Sequence, residues 1–275
     1  MAVSAVRPEQ LSPTASAAPP VVEARRLGLT FQTSDAPVVA LQDVDLTIGE
    51  GEFVSLIGPS GCGKTTLMRV VADLVRPTAG SVTVNGMTPE QARLARAYGY
   101  VFQAPALYPW RNVRRNVELP LEIMGVPAAE RQERARAALG TVGLGQFEKK
   151  FPWQLSGGMQ QRVSIARALG FQPKLLLMDE PFGALDEITR DNLNVHLLDL
   201  WNRSNLTVIF VTHSIPEAVF LSSKIVVMSP RPGRILDVID SDLPRDRGLD
   251  IRETPTFLTI AQQVRDGLRA GHSYE

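Results

Sequence analysis

The sequence predicts an α/β protein with a buried parallel sheet, and three apolar runs carry that prediction. LLLMD (175–179) and TVIFVTH (207–213) are separated by the helix-like stretch TRDNLNVHLLDLWNRS, the pattern of parallel strands buried on both faces. A third run, FVSLIG, leads into a glycine-rich turn and then into TTLMRVVADLV, whose apolar residues recur at helical spacing. Strand, glycine turn and helix make a βα unit.

Residues 1 to about 20 are rich in Ala, Ser and Pro, offer little apolar surface, and are expected to form a disordered tail. VVEARRLGLTF and VVALQDVDLTI then alternate apolar and polar residues, as half-exposed strands do, before the turn GEGE and the buried run FVSLI. The helix after the glycine turn is expected to stop near Pro77 and Gly80. Between Gln103 and Gly170 the spacing is mostly helical, in RNVELPLEIM, ERARAALGTVGL and QQRVSIARALG, which predicts a helical subdomain over about 104–170. After KIVVMS the segment PRPGRILDVIDSDLPRD reads as turn-rich, and PTFLTIAQQVRDGLRAG as an amphipathic helix. The expected organisation is a main domain over 21–250 and a C-terminal helical extension over 251–275.

At 275 residues and 44% hydrophobic, the chain is long enough to bury a substantial core. Lys plus Arg and Asp plus Glu both number 29, so no global field draws it to nucleic acid, and none is expected as a partner. The single cysteine, Cys62, excludes an internal disulfide and suits a reducing compartment. No apolar run approaches the roughly 20 residues that span a bilayer. The opening MAVSAVRPEQLSPTASAAPP is broken by prolines and lacks the apolar core of a signal peptide. A cytoplasmic protein is expected, any membrane role being borrowed from another chain.

GPSGCGKTT spans Gly58, Pro59, Ser60, Gly61, Cys62, Gly63, Lys64, Thr65 and Thr66 and satisfies G-x-x-x-x-G-K-[ST] between a strand and a helix. Glycines let backbone N–H groups converge on phosphate oxygens, and the helix N-terminus adds about half a positive charge. Lys64 can reach the β- and γ-phosphates of a nucleotide, and the Thr65 hydroxyl can ligate Mg²⁺. Cys62 is assigned no catalytic role. LLLMDE ends a buried strand on Asp179, a candidate Mg²⁺ ligand, and Glu180, a candidate to polarise attacking water. An Asp-Glu-Pro turn alone would be a strand end; the upstream cradle gives it meaning.

LSGGMQQR (155–162) resembles the signature of the ABC transporter ATPases, and the ordered motifs over about residues 22–235 are similar to that family. The resemblance implies a P-loop NTPase (RecA-like) core with an N-terminal antiparallel β-subdomain and a helical subdomain bearing the signature. It implies that ATP and Mg²⁺ are bound and that ATP is hydrolysed. It places Ser156, Gly157, Gly158 and Gln160 in the signature, touching ATP held by a second copy. Gln103 becomes a catalytic glutamine near Mg²⁺, and His213 the switch histidine. Ala184, Leu185 and Asp186 become the loop crossing the dimer interface, and Phe31 the ring against adenine. Read from the residues alone, Ser-Gly-Gly opens a helix and offers a second set of free N–H groups to an anion.

QAPALYPWRNVRRNVELPL looks like the part of bacterial importer ATPases that receives the membrane subunit, and DEPFGALDEITR, VTHSIPEAVFLS and VVMSPRPGRI are similar to the branch of importers for nitrate, sulfonate, taurine, bicarbonate and pyrimidine precursors. The implied partners are an ATP-induced second copy, integral-membrane permease subunits and, indirectly, a periplasmic or lipid-anchored substrate-binding protein. The implied location is the cytoplasmic face of the membrane. The competing readings are an exporter ATPase, or a soluble ABC ATPase acting away from transport; the latter usually carries coiled coils or two cassettes, and neither is visible.

Overall fold

The computed structural model describes residues 19–272, so the tail expected over 1–20 lies outside the described residues except for its last two. Three strands form an antiparallel sheet in the order β2-β1-β4: β1 (Val22–Phe31), β2 (Val38–Ile48) and β4 (Ala79–Val84). Six others form the central sheet in the order β5-β6-β7-β3-β8-β9: β3 (Phe53–Ile57), β5 (Tyr98–Val101), β6 (Leu175–Asp179), β7 (Thr207–Thr212), β8 (Lys224–Met228) and β9 (Ile235–Asp240). All central pairings are parallel except β8 with β9.

The continuous apolar runs have a direct cause. Alternate side chains of each central strand feed two different cores, as the pleat requires. Phe53, Ile57, Leu176, Met178, Val208 and Phe210 enter the core shared with the helical insertion and the C-terminal helix. Val54, Leu56, Leu175, Leu177, Ile209 and Val211 enter the core shared with the antiparallel sheet and α1 (Lys64–Val71). Neither face is wet, so polar residues are few and partnered, as Ser55 is in accepting the Ser222 hydroxyl at 2.6 Å.

The insertion consists of α3 (Val113–Ile123), α4 (Ala128–Thr141) and α5 (Gly157–Leu169), packed on one another. Asn116 of α3 is fully buried and pins the preceding loop: its carbonyl oxygen accepts from Tyr108 N at 2.8 Å, and its amide donates to the Tyr108, Arg111 and Asn112 carbonyls. Tyr108 and Trp110 are thereby held outward, Trp110 at 70% exposure. Beyond β6 follow α6 (Glu187–Arg203), α7 (Ile215–Leu221) and α8 (Pro255–His272). Phe257, Ile260, Ala261 and Val264 of α8 join the first core. Among the described residues no helix is long and apolar enough to cross a membrane.

Two expectations need correction. The first helix stops at Val71, not near Pro77, because Asp73 takes φ 51°, a left-handed turn that breaks the ladder; its carboxylate meets Arg93 at 2.8 Å. The segment read as turn-rich contains β9, paired with β8 from Met228↔Ile235 to Lys224↔Asp240. As an edge strand it buries only Ile239 fully, so its alternation is weak. β4, α2 (Pro89–Leu94) and β5 were not anticipated either.

Candidate nucleotide site

β6, β7 and β3 are neighbours in register, Asp179 opposite Val211 and Ile57 opposite Thr212. Their carboxyl ends therefore deliver the glycine loop, the Asp179–Glu180 pair and His213 to one edge of the sheet, where ligands of open α/β sheets gather. β5 lies beside β6 with Val101 opposite Met178, so Gln103 leaves the sheet at the same edge; its side chain is exposed.

The loop's geometry follows from its glycines. Gly63 precedes α1 at φ 109°, and a Cβ there would stand 2.8 Å from Leu41 and 3.0 Å from the Ala40 carbonyl, so a side chain is excluded. The N-terminus of α1 has no side-chain cap and no acidic residue in its first turn, whereas α2, α3, α5, α6 and α7 are each capped by a side chain. Its N–H groups and dipole are left for an external anion. Lys64 is buried, with Nζ donating to the Gly58 and Pro59 carbonyls at 2.8 and 2.9 Å and lying 3.7 Å from the buried Cys62 sulfur.

The Thr65 hydroxyl donates to Asp179 Oδ1 at 2.7 Å. Burial pushes the Asp179 carboxyl above its ordinary value, opposed by the Thr65 hydrogen bond and the Arg69 charge. Hydroxyl and carboxylate together form an oxygen donor pair of the kind Mg²⁺ takes, and a cation there would offset the burial penalty. Glu180 follows at φ 44°, a strained conformation for a side chain-bearing residue, held by its N–H to the Val211 carbonyl at 3.0 Å. His213 Nδ1 lies 3.5 Å from Glu180 Oε2. Phe31 is 40% exposed at the end of β1, opposite Val38, and two residues beyond Val38 the strand reaches Ala40 and Leu41 beside Gly63.

Ser156, Gly157 and Gly158 lie elsewhere. The Ser156 hydroxyl caps α5 by accepting from Met159 N, and Gln160 turns back to the Pro152 and Leu155 carbonyls. An added Cβ at Gly157 would meet Leu185 at 3.7 Å, and one at Gly158 would meet Thr189 at 2.6 Å. Asp186 caps α6 through Thr189 N, which holds its carboxyl below the usual value. Among the described residues no hydrogen bond or ion pair joins this group to residues 58–66.

Tyr100 was missed: its hydroxyl points at Asp179 Oδ2 at 3.5 Å, and burial is the main reason its phenol is shifted upward. Gly233 was missed too. A Cβ there would stand 2.1 Å from the Cys62 carbonyl, so the segment after β8 presses on the back of the loop. Gly233→Ala is expected to lower Tm by several degrees and weaken nucleotide binding together, overpacking costing about 1–3 kcal/mol. Thermal melts with and without ATP measure both; Gly140→Ala, where an added Cβ meets nothing within 4 Å, should show neither loss.

Sheet, loop and acidic strand end define a phosphate-loop nucleoside triphosphatase. The chain belongs to the ABC transporter family, whose family model matches residues 41–183, and it is an ATPase. It is 43% identical over 229 residues to a taurine import ATP-binding protein of Escherichia coli O157:H7, covering 82% of this chain and 89% of that one. It is 40% identical over 260 residues to a nitrate import ATP-binding protein of Synechocystis, covering 92% and 97%. The dimeric post-hydrolysis structure of an ATP-binding cassette bound to ADP and Pi is similar at TM-score 0.70 and 34% identity, over 80% of this chain and 98% of that one.

Proposed function

We propose that the chain is the ATP-hydrolysing subunit of an importer for small solutes of the taurine, sulfonate or nitrate kind. Two copies close around two ATP molecules at the cytoplasmic face of the membrane and drive separate permease subunits, which a periplasmic or lipid-anchored binding protein supplies. One observation carries the reading: the α1 N-terminus at Lys64 is uncapped, the Ser156 hydroxyl at the α5 N-terminus takes only the Met159 N–H, and among the described residues no hydrogen bond or ion pair joins the two ends within one copy. A second copy, related by two-fold symmetry, brings each signature to the other's cradle.

In this reading residues 58–66 and Lys64 hold the phosphates and Phe31 stacks on adenine. Thr65, Asp179 and Gln103 would hold Mg²⁺, which would neutralise phosphate charge. Glu180 accepts the proton of the attacking water, and His213 positions Glu180 and the γ-phosphate end. Ser156, Gly157, Gly158 and Gln160 reach the partner's ATP, and Ala184, Leu185 and Asp186 line the interface. The outward Tyr108 and Trp110, whose rings lie 5.0 Å apart, form the surface offered to the permease.

Mixing tests the shared site. Ser156→Arg and Lys64→Ala chains are each expected to be inactive, and their mixture to regain turnover, because the mixed pair restores one complete cradle-and-signature site. A mixture as inactive as its parts would sink the two-copy reading. Loss of the gene should likewise abolish energy-dependent uptake of taurine or nitrate by whole cells; unaltered uptake of both, and of sulfonates, would remove the proposed substrate class.

A further inference from the structure

Glu217, four residues after His213, is buried on α7 and serves no part of the site described so far. Its Oε2 takes the hydroxyl of Thr212, and the same Thr212 oxygen accepts the Ser214 N–H at 2.9 Å. The Ser214 hydroxyl in turn accepts the Glu217 N–H at 3.4 Å. Of the two chain neighbours of His213, Thr212 is thus held by the carboxylate itself and Ser214 by the Thr212 oxygen and the Glu217 backbone. Its other oxygen, Oε1, faces Arg190 Nε at 3.6 Å, and neither of these buried atoms has a hydrogen-bond partner.

Arg190 stands in the first turn of α6 and donates from Nη2 to the Leu185 carbonyl at 2.8 Å. Asp191 beside it is already taken by a two-pronged pair with Arg252, at 2.9 and 2.6 Å. Glu217 is the carboxylate within ion-pair distance of Arg190 among the described residues. A continuous line of polar contacts therefore runs from Leu185, through Arg190 and Glu217, to the two residues that flank His213. Two of its contacts are slack: Arg190 to Glu217 at 3.6 Å and His213 to Glu180 at 3.5 Å. Each lies roughly 0.6 Å beyond a normal hydrogen bond. Burial pushes the Glu217 carboxyl upward, while Thr212 and Arg190 pull it back, so the pair is sensitive to small changes in their separation.

We propose that Arg190 and Glu217 are positioning residues. They tie the Ala184–Asp186 loop to His213, so that closure of a second copy on that loop tightens both slack contacts and sets the imidazole against Glu180. The inference rests on the two-copy reading above. It makes hydrolysis conditional on the partner's position without any group of the relay touching ATP.

The test uses the full chain with Mg-ATP and four variants: Arg190→Met, Glu217→Gln, the double variant, and Arg190→Lys. Each single truncation is expected to lower kcat at least tenfold while KM and the affinity for a fluorescent ATP analogue stay within twofold. The double variant should be no worse than the poorer single one, because both break one line. Arg190→Lys, which keeps the charge facing Glu217, should recover part of kcat. Wild-type kcat in Arg190→Met, or losses that multiply in the double variant, would overturn the relay. So would a loss in Arg190→Met that Arg190→Lys does not relieve, which also covers a Glu217→Gln chain that fails to fold. The Glu180→Gln chain run in parallel separates the two readings: if ATP leaves it monomeric, the two-copy reading and the relay fall together, whereas an ATP-dependent dimer with unaltered Arg190→Met turnover removes the relay alone.

Discussion

Glu180→Gln is expected to bind ATP as the wild type does and to hydrolyse it at least a hundredfold more slowly, since a positioned general base contributes about 10²–10⁴-fold. The amide keeps the shape of the side chain and its place beside His213, 3.5 Å away, but cannot accept a proton. The strained backbone at Glu180 is held by the Val211 carbonyl and is indifferent to the substitution. ATP that cannot be cleaved should hold two copies together. Light scattering after size exclusion, with ATP and no Mg²⁺, should therefore give twice the monomer mass for this variant. Turnover equal to wild type would take the base role away from Glu180.

Lys64→Ala is expected to raise the dissociation constant for ATP about 10–100-fold, because a hydrogen bond to a charged group contributes about 1.5–3 kcal/mol and each 1.4 kcal/mol is tenfold. In the free protein the ammonium is spent on the Gly58 and Pro59 carbonyls, so binding exchanges those acceptors for phosphate oxygens rather than desolvating a bare cation. The truncation also strands two loop carbonyls, and a modest fall in Tm should accompany the weaker binding. Calorimetric titration with ATP reads the first effect and a thermal melt the second. An unchanged dissociation constant would mean that the α1 N-terminus alone holds the phosphates.

How far the sequence could be read depended on distance along the chain. The cradle was legible because Gly58 to Thr66 are contiguous and their chemistry is local. The central strands were legible because both faces are buried, which leaves few polar residues in the run. β9 escaped because an edge strand with one fully buried residue has almost no pattern. α1 was drawn too long because Leu74 and Val75 keep the helical spacing past the point where Asp73 has already turned left-handed. Tyr100 and Asp179 are 79 positions apart, and Arg190 and Glu217 come from different helices; only folding pairs them. Phe31 and Gln103 came from resemblance alone: they carry no chemistry that spacing could reveal.

The strand order has a consequence for how the protein is made. β3, which carries the phosphate loop, is the earliest strand of the central sheet yet sits in its middle, and both its neighbours come from the last third of the chain. Roughly 150 residues must be synthesised between Ile57 and the first residue of β7, which at about 5–20 residues per second takes on the order of 8–30 s. During that interval a strand apolar at all but Ser55 waits on the ribosome with both edges open, while the β1–β2 hairpin beside it can already form. Nascent-chain chaperones therefore have their natural client in the very segment that later holds the nucleotide.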